Sequence, residues 1–323
     1  MEETQVRFVI PASEAESMAQ KANLPSVLHL LPSLVPSAQR LARTPISNFH
    51  VGAVGIGGVS GRVFLGVNVE FLNLPLNYSI HAEQFLLTNL SLNAEPSLSH
   101  FAVSAAPCGH CRQFYQELRN ASSLNVLVAD SDPPTPTATA FTPLSHFLPH
   151  RFGPENLLSK HLPFLLEPHH NGLSFLTNSQ PNGFTTTTTT TTNNFNSLRY
   201  DALDAANKSH APYSGCPSGV ALIDTDGNIH KGSYAESAAY NPSIGPAQAA
   251  LVAYIANGGG HGYEKIVAAV LVEMESAIVK QEHAARLLLQ TISPKCEFKV
   301  FLCVGGTKRP SSIWNMCCYK NLY

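Results

Sequence analysis

The segment Phe49-His-Val-Gly-Ala-Val recurs in outline, much later in the chain, as Cys216-Pro-Ser-Gly-Val-Ala. Gly61, Gly66 and Glu70 recur at almost the same offset as Gly227, Gly232 and Glu236. Two nearly equal offsets, both on strand–turn–strand segments, constrain the fold more than any other feature and point to an internal duplication. The competing reading is a chance likeness between two hairpins. A length of 323 residues suits two domains.

Apolar residues make up 44% of the chain and charged ones 13%, which excludes disorder throughout. A net charge of −2 without a long basic run argues against a strong grip on nucleic acid. The opening Met1-Glu2-Glu3 lacks the pattern of a signal or transit peptide. No window approaches twenty uninterrupted apolar residues, so the expectation is a soluble protein without a membrane partner. Seven cysteines, an odd set, favour a reducing compartment, here the cytosol. The last four residues, Lys-Asn-Leu-Tyr, hold no prenylation box.

Along the chain, residues 1–150 read as mixed α/β. Ser13 and Glu16 have capping-box spacing, which predicts a helix from Glu14 to Asn23. A Pro-punctuated apolar stretch runs on to about Ala42. Strands are expected at Phe49–Ile56, Val63–Val69, Ala102–Ala105 and Asn125–Ala129, and helices at His81–Leu92 and from Cys111 to Leu118. Residues 151–198 read as a connector carrying a disordered Asn/Thr-rich insertion with eight threonines at Thr185–Thr192. Order is expected to return over 199–304, with a strand at Phe298–Val304. Residues 305–323, with Trp314 and the pair Cys317-Cys318, form an atypical tail.

His81-Ala-Glu83 and Pro107-Cys108-Gly-His-Cys111 carry the chemistry. Either alone is weak: CxxC can be redox-active, structural or accidental. Together, in this order and spacing, they are the signature of zinc nucleobase deaminases. His81, Cys108 and Cys111 supply three ligands and leave a fourth tetrahedral position open for water, as a catalytic zinc requires. Two thiolates and a neutral imidazole balance the charge of the ion. His110, between the cysteines, is too close along the chain to join them. Glu83, on the first turn of a helix beyond a ligand, can face the open position and shuttle protons. The bland alternative is a carboxylate satisfied by the helix dipole.

With those motifs in place, the chain resembles the two-domain, homodimeric type of cytidine deaminase known from enteric bacteria and plants. The likeness covers about residues 5–170 and 199–303. It is carried also by Ser47-Asn-Phe49-His-Val-Gly-Ala, Val67-Asn68-Val-Glu70-Phe71, Arg112-Gln-Phe114 and Phe152-Gly-Pro154, and in the second half by Pro212-Tyr-Ser, Ser218-Gly-Val-Ala-Leu222 and Gly232-Ser-Tyr-Ala-Glu236. The resemblance implies duplicated three-layer α/β/α domains, each a mixed central sheet flanked by helices. It implies one zinc per chain and hydrolytic deamination of cytidine and 2′-deoxycytidine to uridine and 2′-deoxyuridine, with release of ammonia, in pyrimidine salvage. It further implies that Phe49 packs on the pyrimidine, that Asn68 and Glu70 hydrogen-bond the ribose hydroxyls, and that Ala82 offers backbone groups to the base. Phe152 would reach a neighbouring active site across a homodimer.

The second half departs where chemistry is concerned. Its counterpart of His-Ala-Glu is Pro246-Ala-Gln248, or a register one residue along, and no Pro-Cys-x-x-Cys follows; Cys296 and Cys303 lie seven apart. It reads as a degenerate, non-catalytic copy. Two other readings of the whole chain stand beside the enzyme: a catalytically impaired paralogue with a structural or interaction role, against which Glu83 speaks, and a polynucleotide cytosine deaminase. Seven Lys+Arg against ten Asp+Glu in residues 1–150 is the wrong sign for the latter.

Overall fold

The computed structural model describes residues 7–129, 140–175, 191–260 and 262–305, with the backbone alone for 191–194. Most of the threonine run, the tail with Trp314, and Cys317-Cys318 lie outside the described residues.

The first sheet contains β1 (Val9–Ile10), β2 (Gly52–Gly57), β3 (Val63–Val67), β4 (Leu98–Val103), β5 (Asn125–Val128) and β6 (Thr142–Pro143), in the spatial order β1-β3-β2-β4-β5-β6. Pairing is antiparallel except between β4 and β5. Helix α1 (Ala12–Lys21) precedes α2 (Val27–Gln39), which covers one face; α3 (Ala82–Leu92) covers the other. Gly52 and Ala53 point to opposite faces of β2. A Cβ on Gly52 would meet Val35 O at 2.8 Å in α2, while Gly66, opposite Ala53, would meet Ala82 O at 2.2 Å in α3. The strand–helix contacts are therefore backbone against backbone on both sides. Short helices α4 (Gly109–Phe114) and α5 (Leu144–Phe147) complete this half.

The second half repeats the plan. Strands β8 (Ser218–Asp224), β9 (Ile229–Ser233), β10 (Ile266–Met274) and β11 (Glu297–Gly305) take the places of β2, β3, β4 and β5, with β10 and β11 the parallel pair. Helix α6 (Thr191–Asn207) packs on Gly219 as α2 does on Gly52, and α7 (Pro246–Ala256) on Gly232 as α3 does on Gly66. Helix α8 (Glu282–Ile292) stands where α4 stands. The duplication expected from the paired offsets is present, and chance likeness of two hairpins is excluded by matching order, pairing and close approaches.

Several expectations need correction. The Pro-punctuated stretch before Ala42, with no element expected for it, forms a helix with Pro32 and Pro36 inside it, α2. Each interior proline costs about 3 kcal/mol, but Leu30, Leu31, Val35 and Ala38 are buried on the sheet, and burial of such side chains is worth about 1.5–3 kcal/mol each for the larger ones. Packing outweighs propensity. The Ser13–Glu16 capping box does not form, because α1 starts at Ala12 behind Pro11 and Ser13 already lies in its first turn. The connector is not all linker. Its residues Leu173–Phe175 form β7, antiparallel to β11 at the edge equivalent to that of β6, and α6 begins at Thr191, before the expected boundary at 199.

The halves share one core. Residues Ala82–Leu90 of α3 and nearly all of α7 are buried: α7 is apolar on almost every side, and α3 buries Glu83, Gln84, Thr88 and Asn89 among its apolar residues. Each helix packs on its own sheet and on the other, so the buried cluster runs from Phe85 and Leu86 through Ala250 and Leu251. Polar contacts reinforce the junction. Glu117, fully buried, accepts hydrogen bonds from His210 Nε2 (3.1 Å), the Tyr213 hydroxyl (2.7 Å) and the Ala238 amide (2.7 Å). Among the described residues, no helix is long and apolar enough to cross a membrane.

Candidate active site

Three side chains converge where two helices begin. His81 is the N-cap of α3, Cys108 the N-cap of α4, and Cys111 lies on the first turn of α4. The helix expected from Cys111 thus starts earlier, at Gly109, which brings both sulfurs to one helix end. His81 Nδ1 stands 3.5 Å from Cys108 Sγ and 3.3 Å from Cys111 Sγ, and the three donor atoms lie within 4.8 Å of one another. A tetrahedral zinc with bonds of about 2.3 Å to sulfur and about 2.0–2.1 Å to nitrogen spaces N and S about 3.5 Å apart. The donor set and its spacing fit zinc. Among the described residues, no other group of three such side chains could share a metal.

The protons in this cluster are already unevenly shared. Cys108 is brought down to about 3 by its hydrogen bonds from Cys111 and His81, whereas the Cys111 thiol, bonded to Cys108 and buried, is pushed well up. His81 is raised, chiefly by its bond to Cys108. Burial lifts the Glu83 carboxyl above the ordinary carboxylate range. His110 is not in the cluster; its ring stacks on His81 with centroids 5.1 Å apart.

A cavity of about 310 Å³ opens over the cluster, within the usual range for small-ligand pockets. Phe49, Asn68, Glu70, Ala82, Glu83, His81 and Cys108 all line it, as do Ser47, Ser79, Ala105 and Ala106. Phe49 is 60% exposed and free to cover a planar ligand. Asn68 and Glu70 are occupied with the loop before β2. Asn68 Oδ1 accepts from the Val51 amide (2.9 Å) and its Nδ2 donates to Phe49 O (2.8 Å). Glu70 accepts from the amides of Ile46 and Ser47 (both 2.9 Å) and from the Ser47 hydroxyl. Burial works to raise the Glu70 carboxyl, but these bonds outweigh it and hold the group below its ordinary value. Counting lone pairs, Glu70 keeps about one acceptor position and Asn68 about one donor and one acceptor. A second cavity of about 170 Å³, between the halves, is lined by Lys208 and Lys231, both paired with Asp204, and by His210, which do not make a three-residue metal cluster.

Phe152 is not brought to the cavity within this chain. It lies on the surface, 42% exposed, with its carbonyl accepting from Gln113 Nε2 (2.7 Å). Sequence reasoning missed Ser47 and Gln84. Ser47 had a signal in its repeat, Ser214; Gln84 had one in Gln248.

Among the described residues, the second half has no such centre. The N-cap of α7 is Gly245, so His81-Ala-Glu83 corresponds to Gly245-Pro246-Ala247, the neighbouring register. Gln281 is the N-cap of α8 where Cys108 stands in the first half. At the places of Phe49 and Asn68 are Cys216 and Tyr234, both buried.

Residues 27–127 and residues 144–286 each match the family described as the cytidine and deoxycytidylate deaminase zinc-binding region. Cytidine deaminase 1 of Arabidopsis thaliana is 60% identical over 302 residues, covering 92% of this chain and 97% of the relative. A cytidine deaminase of Serratia proteamaculans is 37% identical over 284 residues, 88% of this chain and 86% of its own. A crystal structure of cytidine deaminase from Mycobacterium tuberculosis matches 38% of this chain and 95% of its own, at 28% identity and a TM-score of 0.33. With a duplicated α/β fold, a zinc-fitting His-Cys-Cys cluster and such relatives along nearly its whole length, the chain belongs to the cytidine deaminases.

Proposed function

We propose that this chain catalyses the hydrolytic deamination of cytidine and 2′-deoxycytidine to uridine and 2′-deoxyuridine with release of ammonia, serving pyrimidine salvage in the cytosol as a homodimer. The observation that carries this reading is Glu83 on the wall of a cavity of about 310 Å³ also lined by His81 and Cys108, which with the buried Cys111 stand at zinc-binding spacing.

Zinc held by those three residues supplies a Lewis acid that makes water nucleophilic near neutral pH. Glu83 takes one proton from the water attacking C4 and passes it to N3, then takes the second from the new hydroxyl on C4 and passes it to the departing amine; its raised affinity for a proton suits an acid–base group that works near neutral pH. Water is consumed and ammonia leaves, so the proton count closes. Phe49 stacks on the pyrimidine, and the Ala82 backbone at the start of α3 orients the base. Asn68 and Glu70 use their remaining hydrogen-bonding positions on the ribose, and the carboxylate there disfavours a neighbouring phosphate. Exposed Phe49, Leu72 and Leu76 on segments leading into the cavity support burial against a second chain, from which Phe152 would complete the pocket.

The test is a zinc-to-protein ratio together with the loss of cytidine absorbance on purified protein. Turnover of free nucleosides but not of a cytosine-containing oligonucleotide is expected. Zinc-loaded, folded protein without nucleoside turnover would overturn the reading; salt-sensitive editing of the oligonucleotide would move it to a polynucleotide substrate.

A further inference from the structure

Gln84, the third residue of α3, is 3% exposed and has every polar atom of its side chain engaged. Its Oε1 accepts from the backbone N–H of His81 at 3.1 Å. Its Nε2 donates to the carbonyl of Pro242 in the second half at 2.9 Å, and stands 3.1 Å from His110 Nε2. The amide cannot be flipped without setting oxygen against the Pro242 carbonyl and N–H against N–H. Gln84 therefore bears on His81 directly at its backbone, and indirectly through the His110 ring that stacks on the His81 ring.

The second half repeats the device with nothing to hold. Gln248 Oε1 accepts from the Gly245 N–H at 3.0 Å, and its Nε2 donates back to Tyr78 O at 2.9 Å. Each glutamine caps its own helix and reaches across the junction to the loop before the other helix. Only one of the two caps falls on a metal-ligating residue.

We propose that Gln84 is a positioning residue for His81, and that the half of the chain without ligands holds it in place through the Pro242 carbonyl. The degenerate copy then sets the direction of the imidazole as well as filling space. This rests on reading His81 as a ligand. Partners that orient ligands typically contribute about 10–100-fold in metal affinity.

The experiment compares Gln84→Ala with Gln248→Ala, which removes the matching cap and cross-junction bond. Transfer of zinc to excess chromophoric chelator, the visible spectrum of the cobalt-substituted proteins, and the melting temperature are measured. Gln84→Ala is expected to release metal about 10–100-fold faster with an altered cobalt spectrum. Gln248→Ala should lose similar thermal stability while its release rate and spectrum stay near those of the parent. Equal release from both would overturn the proposal. If Gln84→Ala does not fold, Gln84→Glu keeps an acceptor for the His81 N–H but loses donation to Pro242. Faster metal release from it supports the cross-junction hold, and an unchanged rate overturns that part. A parent protein that takes up no zinc would instead overturn the reading of His81 itself.

Discussion

Glu70 and Glu236 hold the same three hydrogen bonds at equivalent places in the two halves. Glu70 takes the amides of Ile46 and Ser47 and the Ser47 hydroxyl, and Glu236 takes the amides of Tyr213 and Ser214 and the Ser214 hydroxyl. Only Glu70 lies on a cavity over a metal cluster. The arrangement survives in the half where Glu236 lines no described cavity, so its first task is to fix a loop. Asn68, whose place Tyr234 takes, has no such survival and belongs with the pocket.

That contrast separates stability from binding. Glu236→Gln is expected to cost about 1.5–3 kcal/mol, because a carboxamide has one acceptor oxygen and no charge, and to leave KM alone. Glu70→Gln should cost a similar amount and also raise KM. Asn68→Ala should raise KM by more than it lowers kcat. Melting curves and steady-state kinetics on the three variants check this.

The metal should bind once. Purified protein is expected to carry about one zinc per chain, and Cys111→Ser should lose both zinc and turnover, since a hydroxyl is a poor substitute for thiolate. Two zincs per chain would mean that Gly245 and Gln281 misreport the second half.

Removing the proton carrier should leave the scaffold standing. Glu83→Ala is expected to retain zinc and melting temperature while kcat falls by at least about 10²–10⁴-fold. Metal analysis beside a turnover assay decides it; near-parental turnover would remove Glu83 from the chemistry.

Acid should weaken the junction through His169. Burial, with His210 beside it, brings His169 down to about 4 from an ordinary value near 6.5; Glu167 and a bond to Phe164 O oppose this only in part. Between those values the unfolded chain binds a proton that the folded chain refuses, so stability rises with pH across that window. It is fully present above the ordinary value and lost as pH falls toward 4. His169→Gln, which can still donate to Phe164 O, should show a smaller drop in melting temperature between about pH 7.5 and about pH 5.

The cluster of candidate site residues could be read from the sequence because its signals are local. His81 and Glu83 share one helix start, Cys108 and Cys111 another, and spacing alone predicts that each pair acts together. The duplication was legible through glycines whose missing side chains let α3 and α7 rest on the sheets. What escaped was set by distant partners. Nothing near Leu173–Phe175 announces a strand, because its partner, Cys303 to Gly305, comes only at the far end of the second half. Two prolines hid α2, since the apolar face that overrides them counts only once the sheet exists. Gln84 looked like an ordinary helix residue until Pro242 was seen across the junction.

The bare contact of Gly66 with α3 makes position 66 a limit on what this protein can tolerate. The thiols ride on α4 and the imidazole and carboxylate on α3, so the reaction centre stays in register only while the two helices keep their relative height above the sheet. A single methyl group at residue 66 would act as a shim under α3 alone. It would carry no charge, touch no substrate and sit behind the site, yet it would lift His81 and Glu83 away from Cys108 and Cys111. Gly232 faces the same mechanical restriction under α7, where a Cβ would meet the backbone of Pro246 and Ala250 and a shim would cost stability without moving a ligand. Two residues without any side chain are thus as exacting as the ligands, and mutational intolerance in this chain marks the supports of the chemistry as well as the chemistry itself.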